Sequence, residues 1–163
     1  MSRAVSNSED IVDSRDIVAR FNELENELHA VHADEHKRVN DDPDLSDEDR
    51  ATVPDPVNLD EWIDYVLGSP DGHLYESEAE EYKVLKELID DINSIGGDSA
   101  KDGVTLIRDS YFKSYAQEFA DDIGAVNRES GWPNSCIDWD QAADELQTDY
   151  TSIEWDGVTY WGR

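Results

Sequence analysis

Forty-one Asp and Glu against 13 Lys and Arg leave this 163-residue chain with a formal net charge of −28, so any compact state has to form against strong self-repulsion. A net charge of about 2 to 8 in magnitude already keeps a small domain soluble. The excess points to a requirement beyond solubility. Two requirements would meet it: a basic protein surface as partner, or life in very high salt. A phosphate backbone and an anionic membrane are both repelled by such a surface, so the expected partner is neither nucleic acid nor membrane.

Hydrophobic residues make up 37% of the chain, short of the ~45–50% usual for globular chains. They are unevenly placed, with four of the five Trp after residue 130. A core is expected in the C-terminal half more than in the N-terminal third. Cys136 is the only cysteine, which excludes an intrachain disulfide and suits a reducing compartment. No apolar run approaches the ~20 residues of a membrane span, and the first ten residues lack the apolar core of a signal peptide. The expected location is cytoplasmic, in the host cell if the chain is phage-encoded.

Residues 8–39 read as one amphipathic helix. Ile17, Phe21, Leu24, Leu28 and Val31 recur at spacings of 4, 3, 4 and 3, an a/d seam. Ile11 and Val12 extend its start, with Ser8 or Asp10 as cap. So narrow a stripe on a charged helix needs a partner helix, in the same chain or in a dimer. Residues 40–56 carry three Pro and seven acids and read as a loop or disordered linker. Asn58 then caps a helix bearing Leu59, Trp62, Ile63, Val66 and Leu67, ended by Gly68-Ser-Pro70. Ser77 begins another, with Glu80 in the capping-box position, an apolar face of Tyr82, Leu85, Leu88, Ile89 and Ile92, and Gly96-Gly97 as its stop. A fourth follows Asp109 or Ser110 with Tyr111, Phe112, Tyr115, Phe119 and Ile123, and a fifth follows Asp138 or Asp140 with Ala142, Ala143 and Leu146. Two β-rich runs around Asp156-Gly157 signal a hairpin. The expected fold class is α+β, predominantly helical: an amphipathic helix over 1–39, an acidic Pro-containing linker over 40–57, and a compact domain over 58–163.

Motifs that carry chemistry are sparse. His32-Ala-Asp-Glu35-His36 matches the inverted zinc-protease pattern H-x-x-E-H. Its neighbours supply no pocket to exclude water, so it reads as a solvated helical face. Cys136 reads as a small core hydrophobe. Phosphate loops, Cys-x-x-Cys pairs and nucleophile elbows are absent from the sequence. Carboxylate pairs such as Asp90-Asp91 and Asp121-Asp122 are expected by number alone among 41 acids. Trp155, Tyr160 and Trp161 fit either a binding platform or, better, the buried face of a small sheet. No catalytic residue, metal or cofactor is expected.

What remains is the carboxylate field. Residues 9–35 hold nine acids along ~40 Å of helix at ~1.5 Å per residue, about one per 4.5 Å. Duplex DNA carries one charge per ~1.7 Å and each strand one per ~3.4 Å. Acidic helices side by side therefore approach the phosphate spacing that a DNA-binding enzyme tracks with Lys and Arg. The competing explanation is halophilic composition: 25 Asp exceed 16 Glu, and 8 Arg exceed 5 Lys.

The stretch Trp132-Pro-Asn-Ser-Cys-Ile-Asp-Trp-Asp-Gln-Ala-Ala-Asp-Glu-Leu-Gln-Thr-Asp-Tyr150 resembles the antirestriction motif of ArdA-type proteins, with Pro133, Ile137, Asp138, Trp139, Asp140, Ala143, Glu145 and Leu146 in matching positions. Where that family often carries a basic residue before its final acidic–Leu step, this chain has Asp144. Residues 115–124 look like the acidic helix that precedes the motif. The resemblance covers about residues 104–163. It implies a DNA mimic of phages and mobile elements that inhibits type I restriction–modification enzymes and is commonly dimeric.

The composition and the resemblance together lead to the expectation of a non-enzymatic acidic inhibitor whose partner is a basic DNA-binding host protein, with a homodimer possible. The expected contact carboxylates are Asp60, Glu61, Asp64, Glu80, Glu81, Asp90, Asp91, Asp121, Asp122, Asp138, Asp140, Asp144, Glu145 and Asp149. The alternative is a halophilic or phage structural or assembly protein that uses the first helix as a coiled-coil handle.

Overall fold

The computed structural model describes residues 5–53, 55, 58–70, 73–96, 99–127, 129 and 131–163. Its elements in chain order are β1 (Ile11–Asp13), α1 (Ser14–Asp41), α2 (Asp47–Arg50), α3 (Leu59–Leu67), α4 (Glu76–Ile95), α5 (Ser99–Asp102), β2 (Thr105–Arg108), α6 (Phe112–Asp122), α7 (Trp139–Gln147), β3 (Thr151–Trp155) and β4 (Val158–Gly162). The chain is predominantly helical α+β, with one antiparallel sheet in the order β1-β2-β4-β3. It forms two compact units: the described residues up to Val18 together with Glu87–Arg163, and Ala19–Lys86.

In the unit 19–86, the apolar seam of α1 is covered from within the chain. Leu24 and Leu28 are buried, and Phe21 stacks on Tyr82 of α4 with ring centroids 5.0 Å apart. Leu28 belongs to a cluster with Val53, Leu59, Trp62, Ile63, Val66, Ala79 and Tyr82, which draws α3 and the start of α4 onto α1. Asn58 caps α3, its side-chain oxygen accepting the Glu61 N–H at 3.3 Å. Burial pushes the Tyr82 hydroxyl up to about 12, with the charges of Asp60 and Glu25 adding to it.

In the other unit, strand alternation sorts the sheet. Val12 faces Leu106 across β1 and β2, and Ile153 faces Tyr160 across β3 and β4. All four are buried, as is Trp155 beside Tyr160. On the opposite face Ile107 pairs with Trp161 and packs with Phe112, Ala116 and Ala143 of α6 and α7. The hairpin turn places Asp156 at φ 47° and Gly157 at φ 76°, the left-handed pair that an Asp-Gly turn supplies. Trp155, Tyr160 and Trp161 therefore serve the core rather than a platform.

Several sequence expectations are corrected. The first helix starts at Ser14, not near residue 8, and neither Ser8 nor Asp10 caps it: Ile11 and Val12 pair with β2 instead, because adding a strand buries Val12 against Leu106. Helix α4 begins at Glu76, so Ser77 and Glu80 form no capping box; the turn before it is closed by the Glu76 N–H on the His73 carbonyl at 3.1 Å. Residues 40–53 are not structureless, since Ser46 caps α2 by accepting the Asp49 N–H at 3.1 Å and Val53 is buried. Pro54, Pro56, Val57 and Gly97 lie outside the described residues. Ile123 follows the end of α6 and is 61% exposed, and Cys136 is exposed rather than core.

The division at 39 and 57 does not match the two units, whose boundaries fall inside α1 and α4. The N-terminal segment completes the sheet: the Tyr160 hydroxyl lies 2.9 and 2.7 Å from the carbonyls of Asn7 and Glu9. Ser14 adds a second tie. Fully buried, its Oγ donates to the Ala100 carbonyl at 2.9 Å and accepts the Val104 N–H at 2.7 Å.

Leaving buried polar groups unmade costs ~1–3 kcal/mol, so Ser14→Ala is expected to lower the unfolding free energy by about 2 kcal/mol. Urea melts should show a lower midpoint at unchanged slope; a loss below ~0.5 kcal/mol would mean that the tie contributes nothing. Tyr82 gives a pH test. Its folded-state pKa lies above that of the unfolded chain, so its contribution is complete below pH ~10 and is lost as the pH rises toward about 12. Tyr82→Phe should flatten the alkaline limb of a stability–pH curve, and an unchanged limb would contradict the assignment.

Candidate functional site

The His32–Glu35–His36 pattern resolves into packing. His32 is fully buried and stacks on Trp62 at 5.0 Å, because the face that carries Leu24 and Leu28 continues through His32 and Glu35 at spacings of 4, 4 and 3. The expected solvated face is thus corrected. Glu35 accepts the Trp62 Nε1–H at 3.0 Å and meets His73 Nε2 at 3.2 Å, while the other ring nitrogen of His73 accepts the Tyr75 N–H at 3.3 Å. With both nitrogens engaged, His73 offers no free base. His36 faces Asn40 one turn on. Among the described residues, no group of three or more His, Cys, Asp or Glu could hold a metal ion. A cleft of about 350 Å³ beside this group is lined by Ala30, Val31, Asp34, Glu35, Arg38, His73, Leu74 and Tyr75, a set without a hydroxyl, thiol or amine nucleophile other than the Tyr75 phenol.

Each unit carries the same excess of carboxylates: 20 acids and 6 bases over residues 19–86, and 21 acids and 7 bases over the rest, a net −14 in both. The expected contact residues differ in what surrounds them. In the unit 19–86, Asp60 meets Lys86 at 2.6 Å and Asp64 meets Lys83 at 2.5 Å. Glu81 takes a bidentate contact from Arg20 at 2.8 and 2.7 Å. These three are spoken for by cations on α4 and α1, whereas Glu61 and Glu80 are exposed and in no ion pair among the described residues. The lysine pairs are solvent-exposed, a class worth ~0.2–1 kcal/mol each.

The remaining nine belong to the other unit. Asp90 and Asp91 are exposed on α4. The rest sit on or beside α6 and α7, which pack together so that Lys113 at the start of α6 meets Asp140 at the start of α7 at 2.8 Å and Gln147 Nε2 at the end of α7 donates to Asp109, just before α6, at 3.4 Å. Asp138 caps α7, accepting the N–H groups of Asp140 and Gln141 at 3.2 and 3.1 Å. Glu145 accepts from Gln141 at 3.0 Å. Asp122, Asp144 and Asp149 are exposed and in no ion pair among the described residues, and Asp121 is half-buried. Helix α7 spans ~13.5 Å at ~1.5 Å per residue and carries Asp140, Asp144 and Glu145, about one carboxylate per 4.5 Å against one phosphate per ~3.4 Å of a DNA strand. Such a surface can present anions to a basic groove.

Sequence reasoning missed the roles of Trp62 and His73 as partners of Glu35. The available signal was the continuation of the α1 stripe through His32 and Glu35. Glu35→Ala strands the Trp62 Nε1–H and the His73 ring, and a loss of about 2–3 kcal/mol is expected by denaturant melting. Zinc or a chelator should leave the wild-type melting temperature unchanged; a metal-dependent shift would revive the metal site.

No protein-family model, no curated protein and no solved structure matches the chain.

Proposed function

We propose that the chain is a non-enzymatic inhibitor that lays carboxylates into the DNA-binding cleft of a host defence enzyme, with a type I restriction–modification complex as first target. The supporting observation is the α6–α7 surface, where Asp122, Asp144 and Asp149 are solvent-exposed and in no ion pair among the described residues while Lys113 engages Asp140. A cleft that tracks phosphates with Lys and Arg draws little sequence information from those contacts, so anions at similar spacing compete for it. The resemblance of residues 132–150 to the ArdA-type motif supports the same reading, and with it a phage or mobile-element origin and action in the host cytoplasm. Among the described residues no helix is long and apolar enough to cross a membrane.

Inhibition of the DNA-binding enzyme is expected to weaken steeply between ~50 and 200 mM salt and to be relieved by added DNA. Inhibition that is flat across that range, or indifferent to DNA, would exclude mimicry. Site placement has its own check. Asp144→Lys with Asp149→Lys should reduce inhibition at least about tenfold more than Asp44→Lys with Glu48→Lys, an equal charge change in the other unit. Equal effects would remove the α6–α7 surface as the contact surface.

One observation favours a second reading: the even split of −14 per unit fits a bulk adaptation to molar salt in a structural or assembly protein. In that case the helix seam is no free handle, since Leu24 and Leu28 are buried and Leu28 packs with α3 residues. Circular dichroism separates the readings. A mimic from a low-salt cell stays folded at ~0.05 M KCl, whereas a salt-adapted chain melts cooperatively only in molar KCl, where its carboxylates are screened.

A further inference from the structure

The sheet order β1-β2-β4-β3 leaves two edges. Edge strand β1 is three residues long and passes at once into α1. Edge strand β3, Thr151–Trp155, is longer and lacks the features that keep edges from pairing. It holds no Pro, Lys or Arg and a single charge, Glu154, and its register with β4 runs from Thr151 to Trp155 without a bulge.

The ladder fixes which backbone groups of β3 face outward. In an antiparallel sheet the N–H and C=O of one residue point to the same neighbouring strand, and successive residues point to opposite sides. The Arg108 N–H donates to the Asp10 carbonyl at 2.8 Å, so Arg108 points to the β1 side and Ile107 to β4. Ile107 faces Trp161, so Trp161 points to β2 and Tyr160 to β3. Tyr160 faces Ile153, which therefore points to β4. The N–H and C=O groups of Ser152 and Glu154 are left pointing away from the sheet, and no hydrogen bond among the described residues uses them. Ser152 and Glu154 are exposed, so α6 and α7, which pack over Ile107 and Trp161, leave this strand clear.

We infer that β3 pairs with β3 of a second copy, antiparallel about a two-fold axis at Ile153. Backbone geometry and charge leave one register. Ladder bonds join outward residues, so three pairings compete: Ser152 with Ser152, Glu154 with Glu154, or Ser152 with Glu154. The first sets Glu154 against Tyr150, whose N–H is already given to the Gln147 carbonyl at 3.0 Å. The second puts like charges directly opposite, which is destabilising. The third sets Ser152 of each copy against Glu154 of the other and satisfies all the outward groups of both residues. In that register Asp149 falls opposite Gly157 and Asp156 opposite Tyr150, so no acid of the segment 149–157 faces an acid. An extended segment of another protein is the competing occupant, and this self-complementary placement of acids favours a second copy.

The net charge of −28 on each copy opposes the contact, but only charges within a Debye length of ~8–10 Å act across it at ordinary salt. Salt therefore strengthens this association, whereas it weakens binding to a basic cleft. The inference does not rest on the inhibitor reading. Where both hold, the two-fold axis stands perpendicular to the sheet and sets the α6–α7 layers of both copies on the same side, so a dimer offers a target two acidic surfaces and gains by avidity.

Sedimentation equilibrium of the full chain at 50 and 500 mM NaCl tests the pairing. Wild type is expected to dimerise, at least about tenfold more tightly at the higher salt. Ser152→Pro removes an outward N–H and none of the β3–β4 bonds, a position where an edge strand tolerates Pro. It is expected to be monomeric at both salts, with melting by circular dichroism unchanged. Ser152→Lys sets a lysine opposite Glu154 at both ends of the two-fold and should tighten the dimer about fivefold relative to Asn22→Lys, an equal charge change on the exposed side of α1. A wild type that is monomeric at both salts overturns the inference and leaves the inhibitor reading standing, since that reading is judged on the enzyme. A dimer that survives Ser152→Pro, or that both lysine variants tighten equally, places the interface elsewhere. If Ser152→Pro does not fold, the comparison of the two lysine variants decides.

Discussion

Burial of narrow apolar stripes on highly charged helices is the interaction on which the rest of this structure depends. With 41 carboxylates in 163 residues, self-repulsion disfavours the compact state, and the opposing term is area removed from water at ~25 cal/mol per Å². Helix α1 shows how a small stripe is made sufficient. Leu24, Leu28 and His32 lie along one face and are each at most 1% exposed, and Trp62 of α3 stacks on His32 while packing in the same cluster as Leu28. One large aromatic thus covers two turns of the helix.

The same economy governs the polar groups. Glu35 continues the buried face of α1 and is admitted there because Trp62 and His73 both contact its carboxylate. Ser14 stands where strand β1 passes into α1 and satisfies two backbone groups of the segment 100–104. An arrangement that looks catalytic in one dimension is in space a set of hydrogen bonds that lets polar residues enter a core. The cations are used similarly. Arg20, Lys83 and Lys86 each meet a carboxylate across neighbouring helices, which lowers local repulsion where α1, α3 and α4 must approach. Among the described residues only Lys113, from α6, meets a carboxylate of α7 in this way, so Asp144 and Asp149 keep their charge exposed.

Much of the helical part was legible in the chain itself. The caps at Asn58 and Asp138, the stripes of α3, α4 and α6, and the Asp156-Gly157 turn depend on contacts within a few residues, and local pattern reports such contacts well. The sheet was legible only at its hairpin. Strands β1 and β2 are three and four residues long and pair with each other across about ninety positions. Ile11 and Val12 fit a helical extension as well as a strand, and nothing within their own neighbourhood separates the two.

The sequence by itself determined the charge, the absence of an intrachain disulfide and the helical class, because each follows from composition or short-range periodicity. Only the tertiary structure decided which charges are cancelled and which are left exposed. Asp64 and Asp144 look alike in the sequence, each on a short acidic helix, yet Lys83 reaches the first and no cation among the described residues reaches the second. That difference arises because Coulomb attraction acts on distance in space, and the chain brings a lysine to Asp64 from nineteen residues away.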